Sequence, residues 1–252
     1  MDKIIDTMKR AAIAGSNAIK ETSTNIMWRR KGGKELVTNC DIASENAIVK
    51  VLKKDYPGSS IHSEEVGRIT GQETLLWILD PIDGTHNFIH KLPIYAISIG
   101  AFKKGKPFAG LIYLPESDKF FYAVNGKGAF LNDKKISVSG IGKLNNSMVA
   151  YDNQFHKHEA MLKNLAVIQE KCFTLRIFGS AAVDICNIAQ GAIEARIFHK
   201  TKIVDFAAGL VIIKEAGGKI TDFNGNAPTI DTKDVIVSNG KIHQELIDIL
   251  DL

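Results

Sequence analysis

The feature that most limits what this chain can fold into is an apolar run closed by two carboxylates. Thr74-Leu75-Leu76-Trp77-Ile78-Leu79 reads as a buried strand that stops at Asp80-Pro81, within the run Asp80-Pro81-Ile82-Asp83-Gly84-Thr85. A carboxylate at the end of a buried strand must reach solvent, pair with a cation, or bear a large desolvation cost. Pro81 stiffens the backbone there, and the acids, three residues apart, can converge in a turn. The Ile82 carbonyl can face inward as an oxygen ligand for a hard cation, and Gly84 permits close approach. Thr85 to Phe88 can open a helix whose free N–H groups suit a phosphate. Taken alone, the same Asp-x-x-Asp spacing also fits surface acids and helix caps.

Three more acidic sites fall where a strand or loop gives way to a helix: Asp41, Glu64-Glu65 and Asp205. Asp41 follows Leu36-Val37-Thr38 at a helix entrance, so its carboxylate can simply cap backbone N–H groups. Oxygen-only donors suit Mg²⁺ far better than zinc, and no compact His/Cys set is present. His156-x-His158 binds a metal only with distant partners, and His86 reads as structural or solvent-facing, or as approaching substrate or a metal-bound water.

Apolar residues at Ile4, Ile5, Met8, Ala11, Ala12, Gly15 and Ile19 recur at helical spacing, and a second helix enters at Asp41, continues through Leu52 and is ended by Tyr56-Pro57-Gly58. The segments 96–102, 108–113 and 119–124 have hairpin-length connections and predict an antiparallel meander. Gly140 to Asn146 is a polar connection that divides the chain into an N-terminal α+β lobe, 1–145, and a C-terminal α/β lobe, 146–252. In the second lobe, strands near 148–151, 174–176, 192–198 and 234–238 alternate with helices at about 158–169, 181–189, 205–215 and 242–250. The cluster from Arg29 to Lys34 reads as a solvated loop or as one that swings near an anionic substrate.

With 32 Lys plus Arg against 28 Asp plus Glu, and signs interspersed, the chain lacks the basic footprint of a nucleic-acid binder. No apolar run approaches a bilayer span, and Cys40, Cys172 and Cys186 are odd in number and widely spaced. A cytoplasmic, reducing location is the expectation.

The stretch Asp80-Pro81-Ile82-Asp83-Gly84-Thr85-x-Asn87-Phe88 resembles the long motif of the inositol monophosphatase family. Glu64-Glu65 upstream, and Asp205-x-Ala207-Ala208-Gly209 followed by Glu215-Ala216-Gly217-Gly218 downstream, resemble its other two motifs in order and interval. Lys31 to Asp41 resembles its N-terminal loop and helix entrance, and Gly179-Ser180-Ala181-Ala182 its substrate-side segment. The resemblance implies a layered αβαβα fold, a homodimer, and Mg²⁺-dependent, lithium-sensitive hydrolysis of a small phosphorylated metabolite such as a polyol or sugar phosphate. It implies that Glu64, Asp80 and the Ile82 carbonyl hold one ion, and that Asp80, Asp83 and Asp205 hold a second. Thr85 with Asp41 would orient the attacking water, Gly84 and Thr85 amides would bind phosphate, and Glu65 would stand behind the ligands.

Two departures bear on substrate. Val204 precedes Asp205 where the family usually has Trp, and Phe198 stands seven residues before Asp205 where typical members carry a Glu that accepts inositol hydroxyls. The same stretch holds Arg196, Lys200 and Lys202, which either face solvent or, with Arg176, bind a second phosphate. Fructose 1,6-bisphosphate and 3'-phosphoadenosine 5'-phosphate are therefore alternative substrates. A regulatory protein that keeps the fold without the chemistry is the alternative of another class.

Overall fold

The computed structural model describes residues 3–72, 74–156 and 159–250. Alternation of apolar side chains along two sheets generates five layers. In the first sheet Trp77, Leu79, Ile97, Ile99 and Leu111 face the paired helices Lys3–Thr22 and Asn39–Asp55. Ile78, Ile112, Phe121 and Ala123, on the opposite face, pack against helices Ala181–Ala189, Ile203–Phe206 and Gly209–Glu215. Those middle helices also meet Ala150, Phe198, Val235 and Val237 of the second sheet. The other face of that sheet, through Val149, Ala195, Ile197 and Ile236, packs on helices Ala160–Lys171 and His243–Ile249. Each face is a period-two row of buried residues, the pattern that ties a strand to one register.

Among the described residues the first sheet has eight strands and the second five. The expected meander is present as Ala96–Lys103, Lys106–Leu114 and Lys119–Val124, all antiparallel. Gly110, in the middle strand, lets a helix start settle on the sheet, since a Cβ there would lie 2.2 Å from the Ala208 carbonyl oxygen. Gly140 to Asn146 leads from one sheet to the other. Among the described residues no helix is long and apolar enough to cross a membrane.

Several expectations need correction. The central strand does not stop at Asp80-Pro81 but runs Leu75–Asp83, with irregular register between Asp80 and Asp83. Proline lacks an N–H, and an irregular step in the ladder is where that loss is tolerated. Trp28–Gly32 pairs with Glu35–Thr38 as a hairpin instead of forming a loop, and Gly67–Ile69 is a short edge strand instead of a turn. The fourth helix begins at Ala160, and His158 of the His156-x-His158 pair lies outside the described residues.

Candidate active site

Helix Asn39–Asp55 begins with a capping box. Thr38 Oγ1 accepts from the Cys40 and Asp41 amides, at 3.0 and 3.1 Å, and Asp41 Oδ2 accepts from the Thr38 amide at 2.7 Å. The cap consumes one carboxylate oxygen only. Oδ1 of the same Asp41 accepts from Thr85 Oγ1 at 3.4 Å, and Thr85 Oγ1 also reaches the Ile82 carbonyl at 3.0 Å. Thus Asp41 caps its helix and joins the central strand to the turn beyond it.

The irregular end of that strand turns its acids toward one another. Asp80 Oδ1 accepts from the Ile82 amide at 3.0 Å, while Ser44 Oγ holds the Pro81 carbonyl at 3.1 Å. Asp83 Oδ2 accepts from Ser180 Oγ and, at 2.7 Å, from the Ala182 amide in the first turn of helix Ala181–Ala189. Gly84 follows with φ of +94°, and a Cβ there would meet the Ile94 carbonyl at 2.9 Å. Asp205 is held in the same manner as Asp41, accepting from Thr201 Oγ1 at 2.5 Å and the Lys202 amide at 2.8 Å.

Glu64 and Glu65 are aimed by a residue the sequence reading passed over. Buried Glu45 accepts from Ser63 Oγ and from the Glu65 and Val66 amides, at 3.1 and 3.0 Å, so it fixes the turn carrying both acids. Its available signal was its place four residues after Asp41, on one face of the helix. Lys31, in the hairpin, bridges Glu64 at 3.1 Å and Glu65. Lys202 Nζ lies 2.9 Å from Glu35 and 3.7 Å from Glu64.

These groups border a cleft of about 320 Å³ that Glu64, Asp80, Ile82, Asp83, Gly84, Thr85 and Asp205 line on one side. Gly179, Ala181, Arg196, Lys200 and Lys202 line it as well, while Asp41, Glu65 and Ser180 stand behind the lining. Arg196 is buried: Nη1 donates to Tyr151 O at 2.7 Å and to Asp184 Oδ2. The expected local excess of positive charge is therefore largely neutralised within the chain, Arg196 by Asp184 and Lys202 by Glu35 and Glu64. Asp184 and Asp152 were also missed, because nothing local in sequence ties either to Arg196.

Like charges and burial act together on the acids. Burial pushes the Asp80 carboxyl well above the usual range, and the charges of Glu64, Asp83, Asp205 and Asp41 push it further. Burial raises Asp83 to about 6 against the hydrogen bonds from Ser180 and Ala182. Burial likewise raises Asp41 to about 6 against the Thr38 bonds, and Glu65 to about 7 against Lys31. Asp205 is raised by burial, with the Thr201 and Lys202 hydrogen bonds opposing. Among the described residues no three His, Cys, Asp or Glu side chains already converge as a ligand set.

The profile of the inositol monophosphatase family matches residues 1–251. The chain belongs to the inositol monophosphatase family. Nus factor SuhB of Pasteurella multocida is 32% identical over 255 residues, spanning 98% of this chain and 96% of that protein. A fructose-1,6-bisphosphatase/inositol-1-monophosphatase of Aquifex aeolicus is 31% identical over 255 residues, spanning 99% and 96%. Among solved structures, the extragenic suppressor protein suhB from Bartonella henselae superposes with a TM-score of 0.94 at 31% identity, covering 99% of both chains. The mixed α/β layering described above is the inositol monophosphatase architecture, and the family places the chain among phosphatase-like proteins.

Proposed function

We propose that this protein is a Mg²⁺-dependent phosphomonoester hydrolase acting on a small phosphorylated metabolite. The observation that carries the reading is Asp80, whose ionised form is opposed by four neighbouring carboxylates. Such an excess of buried negative charge is relieved by a divalent cation, and the donors, carboxylate and carbonyl oxygens, have the chemistry Mg²⁺ takes. Glu64, Asp80 and the Ile82 carbonyl would hold one ion, and Asp80, Asp83 and Asp205 a second. When bound, Mg²⁺ would neutralise charge on the phosphoryl oxygens and acidify an attacking water.

The chain's own groups do the positioning. Thr85 Oγ1, fixed by Asp41 and the Ile82 carbonyl, would orient the water, and Asp41 would accept its proton; an Asp41 pKa of about 6 leaves it a competent base near neutrality. The Gly84 and Thr85 amides would take phosphate oxygens at the start of helix Thr85–Ile89. Gly179, Ser180 and Ala181 would frame the substrate, with Ser180 Oγ donating to Asp83. Glu65, with Lys31, would support Glu64. The family resemblance implies direct attack by water as the route, and the buried cysteines are not called on. By the same reading the enzyme is a cytoplasmic, lithium-sensitive homodimer, engages neither nucleic-acid polymer nor membrane, and divides at about residue 145.

The name of the Pasteurella relative favours a second reading, a regulatory protein that retains the fold. Phosphate release from a panel of monoesters and bisphosphates, with Mg²⁺ and with EDTA, separates the two. Release that requires Mg²⁺ and drops steeply in Asp205→Asn is expected. Wild-type turnover by Asp205→Asn at saturating Mg²⁺ would overturn the ligand assignment, and absence of turnover on every ester would favour the regulatory reading.

A further inference from the structure

The cleft lining includes the ends of two parallel strands. Met148–Ala150 pairs with Ala195–Phe198 so that Val149 faces Ala195 and Ala150 faces Arg196. Two residues past that pairing the chain has left the sheet at Asp152, which shares the cleft lining with Phe198, whose ring offers no hydrogen bond. Asp152 is 8% exposed and lines the cleft. Its Oδ1 is committed to its own turn, accepting from the Asn153 and Gln154 amides at 2.6 and 3.1 Å. Its Oδ2 lies 3.8 Å from Arg196 Nη2, beyond hydrogen-bond length.

Arg196 is set rigidly on its other edge. It is 4% exposed, its Nη1 is held by Asp184 and the Tyr151 carbonyl, and its plane lies 4.9 Å from the Phe198 ring centroid. Arg196 Nε and Asp184 Oδ1 have no hydrogen-bond partner among the described residues. Arg196 Nη2 and Asp152 Oδ2 are a fixed donor and a fixed acceptor, too far apart to bond directly, and an oxygen beside them can reach both. One guanidinium between two carboxylates leaves no surplus positive charge for a second phosphate. A neutral hydroxyl, by contrast, donates to Asp152 Oδ2 while accepting from Arg196 Nη2.

We propose that Asp152, positioned against Arg196, is the residue that selects a hydroxyl-bearing leaving group. The proposal rests on the phosphomonoesterase reading for the reaction, and on the strand geometry for the site. Deleting a hydrogen bond to a charged acceptor corresponds to about 1.5–3 kcal/mol, or roughly 10- to 100-fold.

The test is a selectivity ratio: kcat/KM for myo-inositol 1-phosphate divided by that for p-nitrophenyl phosphate, whose leaving group has no other hydroxyl. The ratio should fall about 10- to 100-fold in Asp152→Ala and in Asp152→Asn alike, since the asparagine oxygen stays with the turn amides and leaves an NH2, which cannot accept, in place of Oδ2. A ratio unchanged in both variants overturns the proposal, since general damage to the fold lowers both rates together. Calorimetric binding of free myo-inositol keeps the two readings distinct. A wild-type protein inactive on both esters in Mg²⁺ removes the phosphatase reading alone; myo-inositol binding that persists undiminished in Asp152→Ala removes the hydroxyl site.

Discussion

Two groups of buried acids, one in the lining of the cleft and one reaching it through Arg196, are treated oppositely by the fold. Asp184 is fully buried, burial raises its carboxyl to about 7, and Arg196 supplies an opposing charge at hydrogen-bond contact. Asp80 and Asp83 are buried to a similar degree, yet their nearest charged neighbours include further carboxylates. A buried acid whose counter-charge is built into the chain contributes to holding the structure, and removing one partner strands the other. A buried acid surrounded by its own kind is instead under electrostatic stress that a cation from solution relieves. The same chemical group at the same depth therefore serves different ends, and the neighbours decide which.

The sharpest way to break this comparison is to make one change in both groups. Asp83→Asn keeps an oxygen for Ser180 and the Ala182 amide while removing a stressed charge. Its kcat should fall roughly 100- to 1000-fold, the scale of losing one preorganised electrostatic element, with the metal-free melting temperature unchanged or raised. Asp184→Asn removes the counter-charge in contact with the buried Arg196 guanidinium, leaving only Asp152 at 3.8 Å, and should cost up to about 3–5 kcal/mol of stability, with much less effect on turnover per folded molecule. Chemical denaturation and steady-state kinetics on both proteins decide it. Equal destabilisation by the two variants would erase the distinction.

The stressed group was largely legible in the sequence, and the neutralised one was not. Asp80 and Asp83 follow an apolar run, and the burial of that run is readable from residue type alone. Asp41 and Asp205 stand at helix starts, where an acid has a local reason to be. Arg196 and Asp184 are brought together because helix Ala181–Ala189 packs on strand Ala195–Phe198, a tertiary contact with no periodic trace. Pairing decided the other misreadings too. A basic, exposed segment, Trp28–Gly32, becomes a strand because Glu35–Thr38 lies across from it, and Pro81 stays inside a strand because the ladder is irregular at that step. Of the fold, the helix faces and the meander could be read, whereas short strands at or beside the sheet edges, with three residues and few buried positions, carried too little pattern.

A smaller effect should appear in the pH dependence of metal stabilisation. Asp41 and Asp83 have folded-state values near 6, above the unfolded carboxylate range. Their contribution to stability is therefore full below about pH 4 and is lost as pH rises through about 6, because ionisation is easier in the unfolded chain. Mg²⁺ binds the ionised form, so its stabilisation should run the other way. Thermal melts with and without Mg²⁺ at pH 5 and pH 7.5 should show the larger Mg²⁺-induced rise at pH 7.5. A rise that is equal at both values would mean that these carboxylates are not where Mg²⁺ acts.

The smallest expected effect is at Lys200, where the comparison yields a near-zero. Lys202, two residues on, has Glu35 and Glu64 for partners, and Arg196 has Asp184, so Lys200 is the cation of this stretch on which a second-phosphate site would have to rely. It is an exposed residue at φ of +49°, and its backbone amide donates to Asp234 Oδ1 at 3.3 Å. That contact survives truncation of the side chain, and an exposed long side chain holds little binding energy unless a ligand orders it. Lys200→Ala should leave stability within about 0.5 kcal/mol and change kcat/KM by less than about twofold on myo-inositol 1-phosphate and on fructose 1,6-bisphosphate alike. Should turnover of the bisphosphate fall selectively by about tenfold, the equivalent of roughly 1.4 kcal/mol, a second phosphate would sit over Lys200. The cleft would then recognise charge at its rim as well as a hydroxyl at Asp152.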